Sequence, residues 1–511
     1  GLRWEPAKPW RELKGRVEQF RLNDLIAGVH STQYPNAPAG VFYPGDAGVP
    51  KDGIRPNYKN FAPRVGFAYD LKGDGRTSIR GGFGIFYDTR IPGIINNRFV
   101  DLSPFSPQLI LNTGVVNPGT FSDPLCQKAA TQALQNCTNQ KTTYPFPFTF
   151  PPAKNFDFGV GSFVLSWDPV NEYQTPTVYN WNLSVERQLK SNFLLRAAYV
   201  GSHSSHLTET LNLNPRPVGG TSTTPFRLNA IAATVTKPFP GCTAANCPLF
   251  STVQQDLQDI NANYKSFQIG VEKRSTHGLT ILANYTWSRS TDDLPPGAGV
   301  LGFDTSSARP WDDPLRHQLD WGPSEFDHTH RFVGSYVWQL PGLKGRNSMV
   351  RYVLGDWQIS GLVQAQSGRP LTILSGVDRS GTAIGLDRAK VVGPAYGAGT
   401  CAGLTKACKD WLSLTGFATN DAGTFGDAGK GAFRFPGLYL WDLGLTKNFK
   451  ITEKVTFQLR GEFFNVFNHV NFDESTAAGN FAKLSTGKGT FGALTTALDP
   501  RIGQIGMKLI F

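Results

Sequence analysis

Read backwards by twos from its last residue, the chain presents Phe511, Leu509, Met507, Ile505 and Gly503 on one side and Lys508, Gly506 and Gln504 on the other. Successive side chains of a strand point to opposite faces, so one face here is apolar and the other polar or small. The same period recurs upstream. Tyr179, Trp181, Leu183 and Val185 alternate with Asn180, Asn182, Ser184 and Glu186. Phe267, Ile269 and Val271 alternate with Ser266, Gln268, Gly270 and Glu272. Leu279, Ile281, Ala283, Tyr285 and Trp287 alternate with Thr280, Asn284, Thr286 and Ser288. Trp357, Ile359, Gly361 and Val363 alternate with Asp356, Gln358 and Ser360, and Val455, Phe457, Leu459 and Phe463 with Thr456, Gln458, Arg460 and Glu462. The pattern predicts an all-β chain.

Alternation also describes a soluble sandwich, so other features must decide. The segments often run to ten residues or more, where soluble strands average about five or six. Aromatics gather near segment ends, as in Tyr285/Trp287, Tyr336/Trp338 and Tyr439/Trp441, as interfacial girdles require. Connections alternate in length. The short ones are Leu71 to Gly75, Lys190 to Asn192, Thr276 to Gly278, Pro341 to Asn347 and Ile451 to Glu453. The long ones are Asn23 to Asn60, Asp88 to Pro176, Thr210 to Asn263, Asp292 to Asp327, Ser375 to Gly437 and Asn471 to Asp499. Outer-membrane barrels have short periplasmic turns and long outer loops. A descending last strand puts every short turn on the periplasmic side, together with the C-terminus, and every long loop outside. The expectation is a partial transmembrane antiparallel β-barrel of about 12–13 strands, namely about twelve full ones and a stub at Leu2 to Glu5. Arg187, Arg289 and Lys273 interrupt the apolar face; they fit as side chains snorkelling at its borders, since a charge at mid-depth costs about 2–4 kcal/mol.

Composition adds to this without changing it. Mean hydropathy is -0.26, which is uninformative for a barrel because only alternate strand residues face lipid. No apolar run approaches the roughly 18 residues of a membrane helix. Charged residues make up 17% and aromatics 12%, with 55 Gly and 35 Pro, as in many strands joined by turns and polar loops. The formal charge of +11 is scattered one or two residues per strand, with no Lys/Arg run, and nucleic acid is not an expected partner. The start, Gly1-Leu2-Arg3-Trp4, has no basic or apolar leader. An exported protein needs one, so the chain is expected to begin downstream of its natural start.

Candidate chemistry is sparse. All six Cys fall in predicted outer loops as three close pairs: Cys126 with Cys137, Cys242 with Cys247, and Cys401 with Cys408. Disulfides within each loop suit an exported protein, whereas metal binding would need a partner pair or nearby His. His203/His206 and His328/His330 have ligand-like spacing without an evident third ligand, so a structural or interfacial role is the expectation. Asp292/Asp293 and Asp312/Asp313 lack a calcium-loop register, so solvated loop is the default. Gly81, Gly82 and Gly84, and the stretch Gly426 to Gly431, lack the context of a phosphate loop; glycine within strands permits close aromatic packing. No catalytic constellation and no cofactor motif is present, so an enzyme is not expected.

Several stretches carry a family likeness: Asn60 to Tyr69 followed by Gly81 to Asp88, Tyr179 to Arg187, Ala198 to Ser202, Asp327 to Phe332, Gly355 to Gly361, and Gly461 to Asn468. In this order, ending on Phe511, they resemble TonB-dependent outer-membrane receptors of the Oar-like group. The resemblance implies a barrel of about 22 strands around an N-terminal plug. It implies uptake of a large or scarce substrate (carbohydrate, peptide or metal chelate) energised through TonB. On that comparison residues 1–511 form the C-terminal portion of the barrel; the plug and first strands are absent, and a longer gene product or another chain is expected to complete it. Expected partners are outer-membrane lipid, the barrel-assembly machinery reading Ile505, Met507, Leu509 and Phe511, TonB through the missing N-terminal region, and an extracellular ligand. Lumen-facing candidates are Glu186, Arg196, Gln268, Glu272, Gln358, Gln364, Arg460 and Glu462, against the plainer reading of a structural wall network. The alternative function is a structural or adhesive surface barrel whose disulfide-bearing loops bind a partner or matrix.

Overall fold

A computed structural model describes residues 1–8, 12–90, 102, 104–105, 150–156, 158, 162–167, 173–235, 249–276, 278–295, 309–343, 345, 347–397, 411–473, 482–487 and 490–511. All six cysteines, Cys126, Cys137, Cys242, Cys247, Cys401 and Cys408, lie outside the described residues, so the expected pairing of Cys126 with Cys137, of Cys242 with Cys247 and of Cys401 with Cys408 is neither supported nor opposed by the fold.

Twelve strands form one continuous antiparallel path in chain order. We number them β1 (Leu2–Trp4), β2 (Phe61–Asp70), β3 (Thr77–Tyr87), β4 (Thr177–Gln188), β5 (Phe193–Asn212), β6 (Phe250–Thr276), β7 (Leu279–Asp292), β8 (His330–Gln339), β9 (Trp357–Gln366), β10 (Leu438–Lys450), β11 (Thr456–Phe464) and β12 (Ile502–Ile510). Each neighbour pairs with the next, as a meander built from alternating apolar and polar residues requires. β1 and β12 each pair on one side only among the described residues, so the sheet is not closed. Among the described residues eleven strands are long and β1 is the stub, twelve in all against the expected 12–13 or so. Among the described residues no helix is long and apolar enough to cross a membrane.

The connections alternate as expected. Residues 71–76, 189–192, 277–278, 340–356 and 451–455 turn at one end; residues 5–60, 88–176, 213–249, 293–329, 367–437 and 465–501 cross at the other. Two boundaries differ from expectation. The turn after β8 runs on past Asn347 into a helix, Ser348–Leu354, because Asn347 caps it by accepting from the Val350 N–H at 2.8 Å. The predicted loop Thr210 to Asn263 gives up both its ends to strand, Thr210–Asn212 to β5 and Phe250–Asn263 to β6. β6 has 27 residues, a contour of roughly 90 Å that far exceeds an apolar band of about 25 Å. Its pairing with β5 continues past an irregularity between Ser204 and Leu207, where His206 takes φ 59°, up to Asn212↔Gln254. The strand Ser162–Trp167 adds to this extension in parallel.

Buried apolar residues lie at the long-loop end. One cluster packs Phe20, Leu25, Tyr43, Leu211, Leu228, Phe250 and Val253 together. A second joins Ile373, Ala389, Leu412, Phe417, Phe435, Phe491 and Leu494, and a third Val17, Leu165, Trp167 and Tyr173. The long loops therefore form a packed cap over the β5–β6 extension, while strand residues such as Val65, Phe67, Ile505 and Met507 are exposed. A surface of this kind marks an interaction face, as the wall of a membrane barrel presents.

Glycines on the apolar face hold aromatic rings. A Cβ at Gly201 would lie 2.3 Å from the Trp181 ring of the facing residue, and one at Gly361 would lie 2.6 Å from Tyr336. Gly201→Val will displace the Trp181 indole and cost about 1–3 kcal/mol. Gly461→Ala, where no atom lies within 4 Å, will be neutral. Thermal melting of the folded barrel in detergent measures both.

Candidate functional site: a polar sheet face beneath an ion-paired loop cap

Residues directly opposite one another in register share a face. One chain of partners runs Ser78, Glu186, Arg196, Gly270, Asn284, Val333, Gln364 and Leu440 across β3 to β10. Counting by twos from it places Glu186, Arg196, Gln268, Glu272, Gln358 and Gln364 on the same face. Thr446↔Arg460 and Gly444↔Glu462 extend that face to β11.

The eight residues do not converge on one point. Glu186 pairs with Arg80 at 3.5 Å and faces Arg196. Gln268 Nε2 donates to Ser266 Oγ at 3.2 Å, and Arg274 Nε donates to Glu272 at 3.0 Å. The Gln339 amide donates to Gln358, and Gln364 Nε2 donates to Gln366 at 3.3 Å. Arg460 donates to Glu462 at 2.8 Å, and Gln504 Nε2 also donates to it at 2.6 Å. These are local contacts strung along a wall. Arg187 lies one residue from the end of β4, and Lys265 and Lys273 bracket Phe267, Ile269 and Val271 on β6. Arg289 faces Lys265. The charges on the apolar face thus stand at its borders.

An ion-paired cluster lies beyond the wall, where sequence spacing does not reveal it. Glu209 and Asp259 come from the β5–β6 extension, beyond the membrane-spanning part of those strands, and Arg316 and His317 from the helix Arg316–Asp320. The buried Arg316 guanidinium contacts the fully buried Glu209 and donates to Asp259 Oδ2 at 2.9 Å. His317 Nε2 lies 3.1 Å from Asp259 Oδ2, and its Nδ1 lies 3.0 Å from Asp293 Oδ2. Burial pushes the Glu209 carboxyl up to about 8, against the pull of Arg316. Burial also opposes ionisation of Asp259, yet His317 and Arg316 hold it below its ordinary range. The two carboxylates raise His317 to about 9.

Further ion pairs tie the 293–329 loop region to its neighbours. Lys430 bonds to Asp292, Arg388 bonds to Asp320, and Arg434 donates to Asp327 at 2.6 Å. The acidic pairs weighed as cation sites are therefore matched by basic groups: Asp292 by Lys430, Asp293 by His317, Asp312 by Arg227 and Asp313 by Arg309. The histidine pairs also have neighbours of their own. His203 stacks on Tyr179 and lies 2.7 Å from Asn263 Oδ1. His330 stacks on Tyr285, and His328 Nδ1 donates to the Ser367 carbonyl at 2.7 Å.

The His317 cluster gives the cap a pH dependence. A base whose pKa rises on folding contributes stability fully below 6.5, and that contribution is lost as pH rises through about 9. Glu209 acts with the same sign. Because the His317 side chain is 38% exposed, we expect about 1 kcal/mol from it after solvent screening. Hydrogen-exchange protection of residues 316–320 will fall between pH 6.5 and 9, and His317→Gln will flatten the upper part of the slope.

A family model described as outer membrane beta barrel domain matches residues 1–504. No curated protein matches the sequence. Among solved structures the chain is similar to the outer membrane transporter YddB from Escherichia coli, at 9% identity and TM-score 0.41, covering 88% of this chain and 40% of that one. It is similar to the ferripyoverdine receptor of Pseudomonas aeruginosa, at 12% identity and TM-score 0.37, covering 89% and 33%. The ferric enterobactin receptor PfeA of the same organism, a mutant form, gives 12% identity and TM-score 0.38, covering 90% and 41%. The chain spans between 33% and 41% of the length of these proteins. With a family model matched over nearly its whole length, and with a meander whose sheet faces divide into apolar and polar, this chain belongs to the outer membrane beta barrel domain family.

Proposed function

We propose that the chain forms the wall and outer loops of a TonB-dependent receptor of the Oar-like group, one that takes up a large or scarce substrate such as a carbohydrate, peptide or metal chelate. The observation that carries this reading is the polar face running from β3 to β12 and ending beneath a packed, ion-paired cap. The polar face would line the lumen, with Glu186, Arg196, Gln268, Glu272, Gln358, Gln364, Arg460 and Glu462 as its wall and the cap as the extracellular entry. Unpaired edges at β1 and β12 are untenable in lipid, so in this reading further strands pair with them. Disulfides joining Cys126 to Cys137, Cys242 to Cys247 and Cys401 to Cys408 would staple the outer loops. Ile505, Met507, Leu509 and Phe511, all exposed on one face, would present the assembly signal.

The test expresses the full gene product in its native membrane, identifies small molecules that co-purify with it, and follows uptake of the labelled candidate. Uptake that stops when TonB is deleted supports transport. Binding at the surface without TonB-dependent uptake, and without a TonB-interacting segment in the full product, favours the adhesive alternative.

A further inference from the structure

On the apolar face, Lys265 of β6 and Arg289 of β7 are direct cross-strand partners. Both are exposed, and among the described residues neither has an ion pair or hydrogen-bonded side chain. Like charges directly opposite each other in a sheet repel, so the pair is unfavourable as it stands. The row beneath is aromatic: Tyr199, Phe267 and Trp287 face one another on β5, β6 and β7. Above Trp287 the neighbouring strand departs. β8 begins at His330, and pairing with β7 resumes only at Thr291↔Pro323. Over that gap, β7 is held by Ser288 N donating to Thr329 O and by Ser290 N donating to Asp327 Oδ1 at 2.7 Å. The result is a notch of about 640 Å³ in the sheet, lined by Tyr199, Lys265, Phe267, Trp287, Arg289 and Arg434.

We propose that this notch binds the phosphate-bearing headgroup of a membrane lipid. The phosphate lies between Lys265 Nζ and the Arg289 guanidinium, which relieves their repulsion, and the glycerol and acyl region lies along the three rings. Charge complementarity selects an anion. The notch's position at the border of an exposed apolar face selects a lipid over a free ion. The inference rests on that face lying in lipid.

The full gene product is reconstituted in phosphatidylcholine vesicles with and without phosphatidylglycerol or lipid A, using brominated acyl chains. The readout is the tryptophan quenching that Trp287→Phe removes. Native mass spectrometry of the detergent-extracted protein counts retained lipid. Wild type is expected to show stronger Trp287 quenching with a phosphate-rich anionic lipid and to retain such lipid. Lys265→Gln with Arg289→Gln is expected to weaken retention about thirty-fold, the factor two surface cations contribute, without lowering the melting temperature in lipid-free detergent. Equal quenching in neutral and anionic vesicles, or equal retention by wild type and the double variant, overturns the headgroup site while leaving the face in lipid. Displacement of the lipid by millimolar inorganic phosphate also overturns it. Absence of Trp287 quenching in every vesicle overturns the placement of the face itself.

Discussion

Ile269→Arg will cost the barrel about 2–4 kcal/mol, the depth-dependent penalty for a cation at the middle of a lipid-facing strand. Arginine at the adjacent Gln268 will cost almost nothing. Ile269 lies between Ala197 and Tyr285 on the apolar face, four residues from Lys265 and four from Lys273. At about 3.3 Å per residue, each flanking cation is roughly 13 Å away along the strand. An arginine there is too deep to reach either border easily, whereas Lys265 and Lys273 already stand at the borders. Gln268 points the other way, beside Ser266, where water and polar partners are available. Neighbouring positions with opposite outcomes are the signature of a two-residue period, and a soluble sheet would not produce this asymmetry at an exposed site. Unfolding of both variants in phospholipid vesicles measures the difference. A similar cost at both positions would show that Ile269 does not face lipid.

How far the fold was legible follows from where alternation is enforced. In β4, β7, β9 and β12 one sheet face is apolar and the other polar or small, so the sequence must alternate, and the strands lie where the pattern places them. The upper half of β6 escapes this rule. Gln254, Gln255, Asp256, Gln258, Asp259 and Asn261 are polar on both faces because that segment lies beyond the apolar face, under the loop cap, and its strand state is imposed by β5 and by packing of Phe250 and Val253. A polar run of this kind reads as loop. The wall candidates were legible because each is the polar partner in an alternating pair. The Glu209–Asp259–Arg316–His317 cluster was not, because its members come from three separated segments that only the folded cap brings together. The one available hint was the adjacent Arg316-His317 pair within an otherwise acidic stretch.

That cluster sets the second large effect. Arg316→Ala will remove the cation that, among the described residues, contacts both Glu209 and Asp259. Deleting one partner of a buried ion pair typically costs about 3–5 kcal/mol, because the remaining charge stays desolvated. Glu209 bears most of this cost, being fully buried, whereas Asp259 is partly exposed and keeps His317. Uptake of a proton by Glu209, already favoured by burial, sets the upper limit of the loss. The effect will be local. Arg316 joins the 293–329 loop to the β5–β6 extension, beyond the alternating part of those strands. Hydrogen exchange in residues 207–212, 254–260 and 316–320 should accelerate while the barrel's melting in detergent is preserved. Arg316→Met combined with Glu209→Leu should recover most of the protection, since an apolar pair of similar volume leaves no unpaired buried charge while Asp259 keeps His317. If the single variant instead unfolds the whole barrel, the cap and sheet are one cooperative unit and the cap has no local opening of its own.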